Sequence, residues 1–404
     1  HARVEFAPLG TRIGPVGQFG KKLSIESGAC QLAGDFGRVE ARDVGSHAGV
    51  DHFLGQAVGR PVVRGLSGPR VKIMEDRIDT LDVSVSSPDH ATTIEPFVAD
   101  RVEILKGPST LLYGNGAIGG VVDVHTGRIP HSRPDKVKAK AEIRGADNAD
   151  QRTAMGMVEA GAGRFVLHLD GFYREADDYE IPGFAESAAL RALEEEEPDE
   201  EAFGVLPGSF METQGGALGL SFVGDRGFVG AAVSLYDSEY GIPGHSHHHE
   251  EEHEAEGEHD EEAHEEEGNP FIDLEQTRFD FEAGLKDPFQ GAEALNLRIG
   301  YNEYEHAEVE PSGEIGTLFE NEAIEGRLEL VHLPVAGVTG AGGFQFGDRQ
   351  FEASGEEAYV PPVDTRSYGF FYVGQRNFDH INLEGGVRYE SVSHDPQFGL
   401  SLIH

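Results

Sequence analysis

The sequence predicts an all-β membrane protein: a transmembrane antiparallel β-barrel preceded by a small mixed domain. Three observations carry this. Apolar and polar residues alternate with period two over stretches repeated from about residue 136 onward. Short turns alternate with long loops between those stretches. No run approaches the roughly 18 apolar residues that a spanning helix needs, while glycine, at 54 of 404 residues, is about twice its usual 7% share and favours a turn-rich β protein.

Taken in order, residues 1–49 are glycine-rich without a steady period and predict little structure. Residues 50–130 hold short apolar runs broken by Gly and Pro, and predict a small domain of short strands and turns. Beyond residue 136 the alternation begins. Val137, Ala139, Ala141 and Ile143 share one face, opposite Lys136, Lys138, Lys140, Glu142 and Arg144. Phe279, Phe281, Ala283 and Leu285 oppose Arg278, Asp280, Glu282 and Gly284. Leu295, Leu297, Ile299 and Tyr301 oppose Asn296, Arg298, Gly300 and Asn302. Leu383, Val387 and Tyr389 share a face through Gly385, opposite Glu384, Arg388 and Glu390.

A soluble sandwich and an outer-membrane barrel can both use this pattern, and connection lengths decide between them. Turns at 160–164, 224–227, 287–291, 335–338 and 377–381 alternate with loops at about 178–212, 241–272, 303–320 and 352–365, which is the habit of a barrel. Tyr173, Tyr179, Tyr236, Tyr240, Tyr301 and Tyr304 fall near strand ends and are expected to form an interfacial girdle. About eleven strands are expected. An open set leaves unsatisfied backbone groups in lipid, so the barrel is expected to continue beyond residue 404.

The formal net charge of −41 argues against a nucleic-acid partner. Cys30 is the single cysteine, which excludes a disulfide scaffold and a Cys-built zinc site. Nineteen of the 73 acidic residues lie in two segments without Lys or Arg, 194–201 and 245–267. Such blocks repel themselves and read as solvated loops, the first with a helical turn expected from about Ala188 to Glu197. The second also holds His245, His247, His248, His249, His253, His259 and His264. Neutral imidazole with carboxylate oxygen is a ligand set for Zn²⁺, and Ni²⁺ and Cu²⁺ bind such sets as well or better. Apart from Ala255 and Ala263 nothing apolar fixes a geometry there, so weak, exchangeable binding of several ions is expected. Histidine must be neutral to bind, so capture should fall as pH drops below about 6.5.

Arg101-Val102-Glu103-Ile104-Leu105-Lys106-Gly107-Pro108, then Leu112-Tyr113-Gly114 and Gly116-Ala117-Ile118-Gly119-Gly120-Val121-Val122, resemble the plug of TonB-dependent outer-membrane receptors. Arg60-Pro61-Val62-Val63-Arg64-Gly65-Leu66 resembles an earlier plug strand. The resemblance implies a mixed α/β plug (residues 50–130) inside a 22-stranded barrel of a Gram-negative outer membrane, of which residues 131–404 supply about the first half. It also implies uptake driven by a TonB-type energy-transducing complex. The first 49 residues show no energy-coupling box, and Ala48-Gly49-Val50 stands where plugs carry Pro-Gly-Val.

Within that family the likeness is to zinc-uptake receptors, carried by Ser87-Pro88-Asp89-His90 and by the His- and acid-rich loop after Tyr240-Gly241-Ile242-Pro243-Gly244. On the residues alone, Asp89 and His90 read as a surface turn. The resemblance implies instead that this pair supplies two zinc ligands on the outer side of the plug. A barrel Glu, placed at Glu356 or Glu357, and a histidine beyond residue 404 would complete the site. Zinc is then the transported ligand. His168 is expected to face the lumen with Asp170, and His332 the lipid with Leu328 and Leu330. His306 is expected on an outer loop, with a structural role more than a metal contact. The alternatives are a receptor of the same build for a siderophore, haem or nickel complex, and a surface metal-binding protein without transport.

No enzyme is expected. Nucleophile-elbow and phosphate-loop spacings are missing from the sequence. His249-Glu250-Glu251-Glu252-His253 has the histidine spacing of a zincin helix but lies in a charge run with no apolar face. The glycines of 114–120 read as positions of tight packing and turns.

Overall fold

The computed structural model describes residues 50–53, 56–188, 191, 202–243, 268–356, 358 and 360–397. Residues 1–49, the segment 245–267 and most of 188–197 lie outside them.

The N-terminal unit contains β1 (Val50–Phe53), β2 (Gly59–Pro61), β3 (Val71–Glu75), β4 (Ile78–Asp79), β5 (Arg101–Leu105) and β6 (Gly120–His125). Four of these make one sheet in the order β4-β3-β6-β5, with β3 and β6 parallel. Its helical content among the described residues is 3₁₀ turns, of which 107–112 is the longest. Val63, Val71 and Val122 pack on one side of the sheet. Met74, Leu105, Leu112, Tyr113 and Val121 pack on the other, against Phe371 and Val373 of the surrounding wall. Gly119 has to be small, since a Cβ there would come within 3.0 Å of Arg70 O and of Leu66.

The wall is an eleven-stranded antiparallel sheet, as the alternation predicts. It runs β7 (Lys138–Gly145), β8 (Arg152–Ala162), β9 (Phe165–Ala176), then, after a small hairpin of β10 (Glu180–Phe184) and β11 (Phe203–Val205), β12 (Met211–Val223) and β13 (Gly227–Gly241). It continues through β14 (Phe271–Lys286), β15 (Ala292–Val309), β16 (Ile315–Val335), β17 (Val338–Ser354), β18 (Val363–Asn377) and β19 (Asn382–Pro396). Each strand pairs with its neighbour in sequence once the hairpin is set aside.

The faces decide between barrel and sandwich. Phe165, Leu167, Leu169, Leu218, Leu220, Phe279, Phe281 and Phe370 are exposed on the outer face. Asp170, Thr213, Gln276, Arg278, Asn302, Glu325, Arg327 and Glu329 are buried on the inner one. Apolar-out and polar-in is the arrangement of a lipid-facing barrel. His168 is inward and 2.9 Å from Asp170, and His332 shares the outward parity of Leu328, as expected.

Two expectations fail. The loop expected at 303–320 shrinks to 310–314, because β15 and β16 run to 18 and 21 residues, beyond the roughly 9–11 a spanning strand needs, and pair to Val309 and Ile315. The tyrosine girdle does not hold for Tyr240 and Tyr304, which are 1% and 3% exposed inside the wall, nor for Tyr236 and Tyr179, which pack against the same interior cluster. The Tyr240 hydroxyl contacts the backbone of the enclosed unit at Asp89 and Ala91, and the Tyr304 hydroxyl holds His306 on the wall, contacts that an outward ring cannot make.

The enclosed unit hangs from the wall by its backbone carbonyls. Leu81 O accepts from Asn302 and Asn321 at 2.8 and 2.7 Å, and Asp79 O and Thr80 O accept from Arg278 at 2.9 and 3.2 Å. These bonds fix the start of the segment 82–93.

Candidate metal centre

Asp82 closes that segment into a loop. One carboxylate oxygen accepts from the Ser84 N–H and hydroxyl, at 3.1 and 2.6 Å, and the other from the Thr93 N–H at 3.2 Å. Inside the loop the Arg60 guanidinium donates to the carbonyls of Ser84, Ser87 and His90. From the wall, Tyr240 Oη accepts the Ala91 N–H at 2.9 Å and donates to Asp89 O at 3.2 Å. His90 is thereby clamped from both sides.

The His90 ring is 1% exposed. Its Nδ1 lies 3.2 Å from Val83 O, which can only accept, and 3.0 Å from Ser86 Oγ. A proton on Nδ1 therefore satisfies the carbonyl and leaves the Nε2 lone pair free. Nε2 points at Glu308 Oε1, 3.1 Å away on β15. Two residues back on the same inward face sits His306, fully buried, its ring centroid 4.4 Å from that of His90. Tyr304 Oη holds His306 Nδ1 at 2.7 Å, while His306 Nε2 is buried without a hydrogen-bond partner. Phe319 lies against both rings at 5.1 and 4.6 Å and closes the apolar side.

One atom each from His90, His306 and Glu308 falls within 4.8 Å of the others. Bonds of about 2.0–2.1 Å to a tetrahedral ion place ligand atoms about 3.4 Å apart, close to the His90–Glu308 separation. Two imidazole nitrogens and a carboxylate oxygen are a zinc-type donor set. The orphaned Nε2 of His306 fits it, because a buried nitrogen without a partner is costly unless something fills its lone pair. Two donors come from one strand of the wall and one from the enclosed unit, so their convergence depends on how the two parts are seated.

Of the residues singled out in the sequence, His90 is in this cluster. Asp89 is not: the turn at Pro88 sends its carboxylate to the Ser87 hydroxyl. Glu356 is exposed in the turn after β17 and does not join the converging atoms among the described residues. Glu308 supplies the carboxylate found beside His90. Glu357 and the histidines 245, 247, 248, 249, 253, 259 and 264 lie outside the described residues. His306 is on a strand and not on an outer loop. Its inward parity continues that of Asn296, Arg298, Gly300 and Asn302, the signal that could have located it and Glu308.

Comparison with known proteins bears on the fold. Residues 41–121 match the family model of the TonB-dependent receptor plug domain. A hemin receptor of Yersinia enterocolitica is 51% identical over 37 residues, 9% of this chain and 5% of that protein. Among solved structures, the copper transporter OprC superposes with a TM-score of 0.62 at 16% identity, covering 84% of this chain and 50% of its own. The FrpB iron transporter of Neisseria meningitidis gives 0.64 at 11%, covering 90% and 58%. The Serratia marcescens hemophore receptor HasR, solved with its hemophore and heme, gives 0.62 at 13%, covering 86% and 48%. The chain thus spans about half the length of the structures it matches. Plug match, enclosed sheet and polar-in barrel wall together give this chain the plug-and-barrel fold of a TonB-dependent receptor of the Gram-negative outer membrane.

Proposed function

We propose that the chain belongs to a receptor that imports zinc, or a divalent ion of similar ligand preference, into the periplasm. The observation that carries this reading is the convergence of His90 from the plug with His306 and Glu308 from the barrel wall. Two neutral imidazoles and one carboxylate offer a single negative charge to a dication. The His- and acid-rich segment 245–267, attached to the same loop-bearing end, would raise the local cation concentration and hand ions inward. Because the donors are split between plug and wall, pulling on the plug separates His90 from the other two. A TonB-type complex working from the periplasm would thereby convert force into loss of a ligand, and the ion would leave a site reduced to two donors.

The short match to a hemin receptor favours a second reading, haem or another iron complex as cargo. His90 and His306 do not suit haem as a pair of axial ligands. Two axial imidazoles stand on opposite sides of a porphyrin plane, whereas these rings meet edge-on at 4.4 Å and 77°.

The test is accumulation of ⁶⁵Zn²⁺ by cells producing the full-length receptor, with His306→Ala and Glu308→Gln, beside growth on haem as iron source. Zinc import reduced at least tenfold in both variants at limiting zinc supports the proposal. Unchanged zinc import with lost growth on haem would give the site to the second reading.

A further inference from the structure

A second set of ligand-type side chains lies on the plug sheet, away from the site just described. In β5 and β6, Glu103 is paired directly with Asp123, and Arg101 with His125. Residues two apart on a strand share a face, so Glu103, Asp123 and His125 stand together. Asp76 joins them from the tight turn between β3 and β4, where Asp76 and Arg77 both adopt left-handed backbone angles, φ 48° and 70°. Non-glycine residues in that conformation are uncommon. Here it is fastened by the Arg77 N–H donating to Asp123 Oδ1 at 2.9 Å and by Thr126 Oγ1 donating to Asp76 at 2.6 Å.

The geometry within this group is specific. Asp76 Oδ1 faces His125 Nδ1 at 3.3 Å. On the other edge of the ring, Nε2 faces Asp123 Oδ2 at 3.1 Å and Glu103 Oε2 at 3.5 Å. Asp123 is completely buried, and its Oδ2 has no hydrogen-bond partner; neither has His125 Nε2. The two atoms stand at ion-pair distance, 3.1 Å, without an aligned hydrogen bond between them. Spacings of 3.1 and 3.5 Å bracket the edge of roughly 3.4 Å expected for tetrahedral coordination at 2.0–2.1 Å. Asp76 on Nδ1 is the carboxylate that typically orients a metal-bound histidine and leaves Nε2 for the ion.

Charge points the same way. Asp76, Glu103 and Asp123 carry three negative charges in contact with one another's partners. Arg101, 3.0 Å from Glu103 Oε1, returns one, and Arg77 lies between this group and Glu329, whose charge Arg327 already meets at 2.8 Å. With His125 neutral the three carboxylates outnumber the two guanidinium groups, and the group attracts a cation.

We propose that Glu103, Asp123 and His125 form a second divalent-metal site, selective for a zinc-type ion, with Asp76 as the positioning residue for the histidine. It is remote from the His90 cluster. Glu329, which touches Arg77 beside it, pairs with Asn296 on β15, ten residues before His306. That is about 33 Å along the strand at 3.3 Å per residue, toward the short-turn end. This site does not depend on what the outer cluster carries.

The test uses full-length receptor in detergent titrated with Co²⁺ alone, with bound metal counted in the presence of a competing chelator and coordination read from the visible absorption. Asp123→Asn, Glu103→Gln and His125→Gln are near-isosteric, and heat-modifiable migration of the barrel identifies those that fold. Each folded variant should lose one tightly held equivalent, or weaken it at least tenfold. His306→Ala should leave that equivalent in place, and pairing His306→Ala with Asp123→Asn should remove one more than His306→Ala alone. Unchanged binding in the folded variants overturns the proposal. So does a double variant that loses no more than His306→Ala, since all the tight metal would then belong to the outer cluster.

Discussion

Tyr304→Phe removes one oxygen from the proposed cargo site and little else. Tyr304 is 3% exposed, and its hydroxyl is 2.7 Å from His306 Nδ1. If His306 binds metal through Nε2, the proton sits on Nδ1 and is donated to this hydroxyl. Phenylalanine fills the same space but leaves that donor buried without an acceptor, which costs about 1–3 kcal/mol. Loss of an outer partner of a metal-bound histidine typically weakens the metal about 10- to 100-fold. Competitive titration of the full-length receptor against a chromophoric chelator should therefore show zinc weakened by that factor. With Co²⁺ as probe, the absorption spectrum should keep its shape, because the ligands stay the same. Zinc affinity within twofold of the parent, in a receptor where Glu308→Gln does abolish binding, would refute the role given to His306.

Further predictions concern the seat of the plug. Gly219 of β12 faces Arg128, and a Cβ there would lie 1.8 Å from the Arg128 carbonyl oxygen. Gly219→Ala should displace the plug's exit segment, seen as greater entry of large antibiotics into cells, whereas Gly156→Ala, with open space around it, should not. Glu329 is held between Arg327 at 2.8 Å and Arg77 at 3.4 Å, all nearly buried. Glu329→Gln removes the buried carboxylate that both guanidinium groups share and should cost about 3–5 kcal/mol; a loss below 1 kcal/mol in thermal unfolding would contradict this. In metal-free receptor, burial would push the Glu103 carboxyl up, but His125 and Arg101 outweigh it and hold it down to about 2. Its contribution, about 3 kcal/mol from the shift against 4.5, is present above pH 4.5 and lost as pH falls toward 2. Glu103→Gln should flatten that acid limb of the stability profile.

Parity made the wall legible. Phe279 and Phe281 against Arg278 and Asp280 identified both faces of β14, because inside the bilayer one face must be apolar. The same rule hid the site. Above the bilayer the outward residues of β15 are Glu303 and Glu305, both exposed. With polar residues on both faces the contrast vanishes, and the sequence reads as a loop that carries His306 and Glu308 away from the plug. Tyr240 and Tyr304 are hard to place for a related reason: an aromatic near a strand end suits lipid or lumen equally, although Tyr304 shares the inward parity of Asn302 and His306. The Asp89-His90 pair stood out through family likeness alone. Nothing in the sequence says that the turn after Pro88 aims one side chain at the wall and the other at Ser87. The plug cluster escapes the sequence because the pairing of β5 with β6 brings Glu103 to Asp123 and His125, and the parallel pairing of β3 with β6 brings in Asp76.

The most direct measurement is a competitive zinc titration of the full-length receptor beside His90→Ala, His306→Ala and a deletion of residues 245–267. The account predicts a tight site weakened in both single substitutions, and only weak sites lost in the deletion. A tight outer site that survives both substitutions, or that disappears with the loop alone, would contradict the assignment of zinc to the junction of plug and wall.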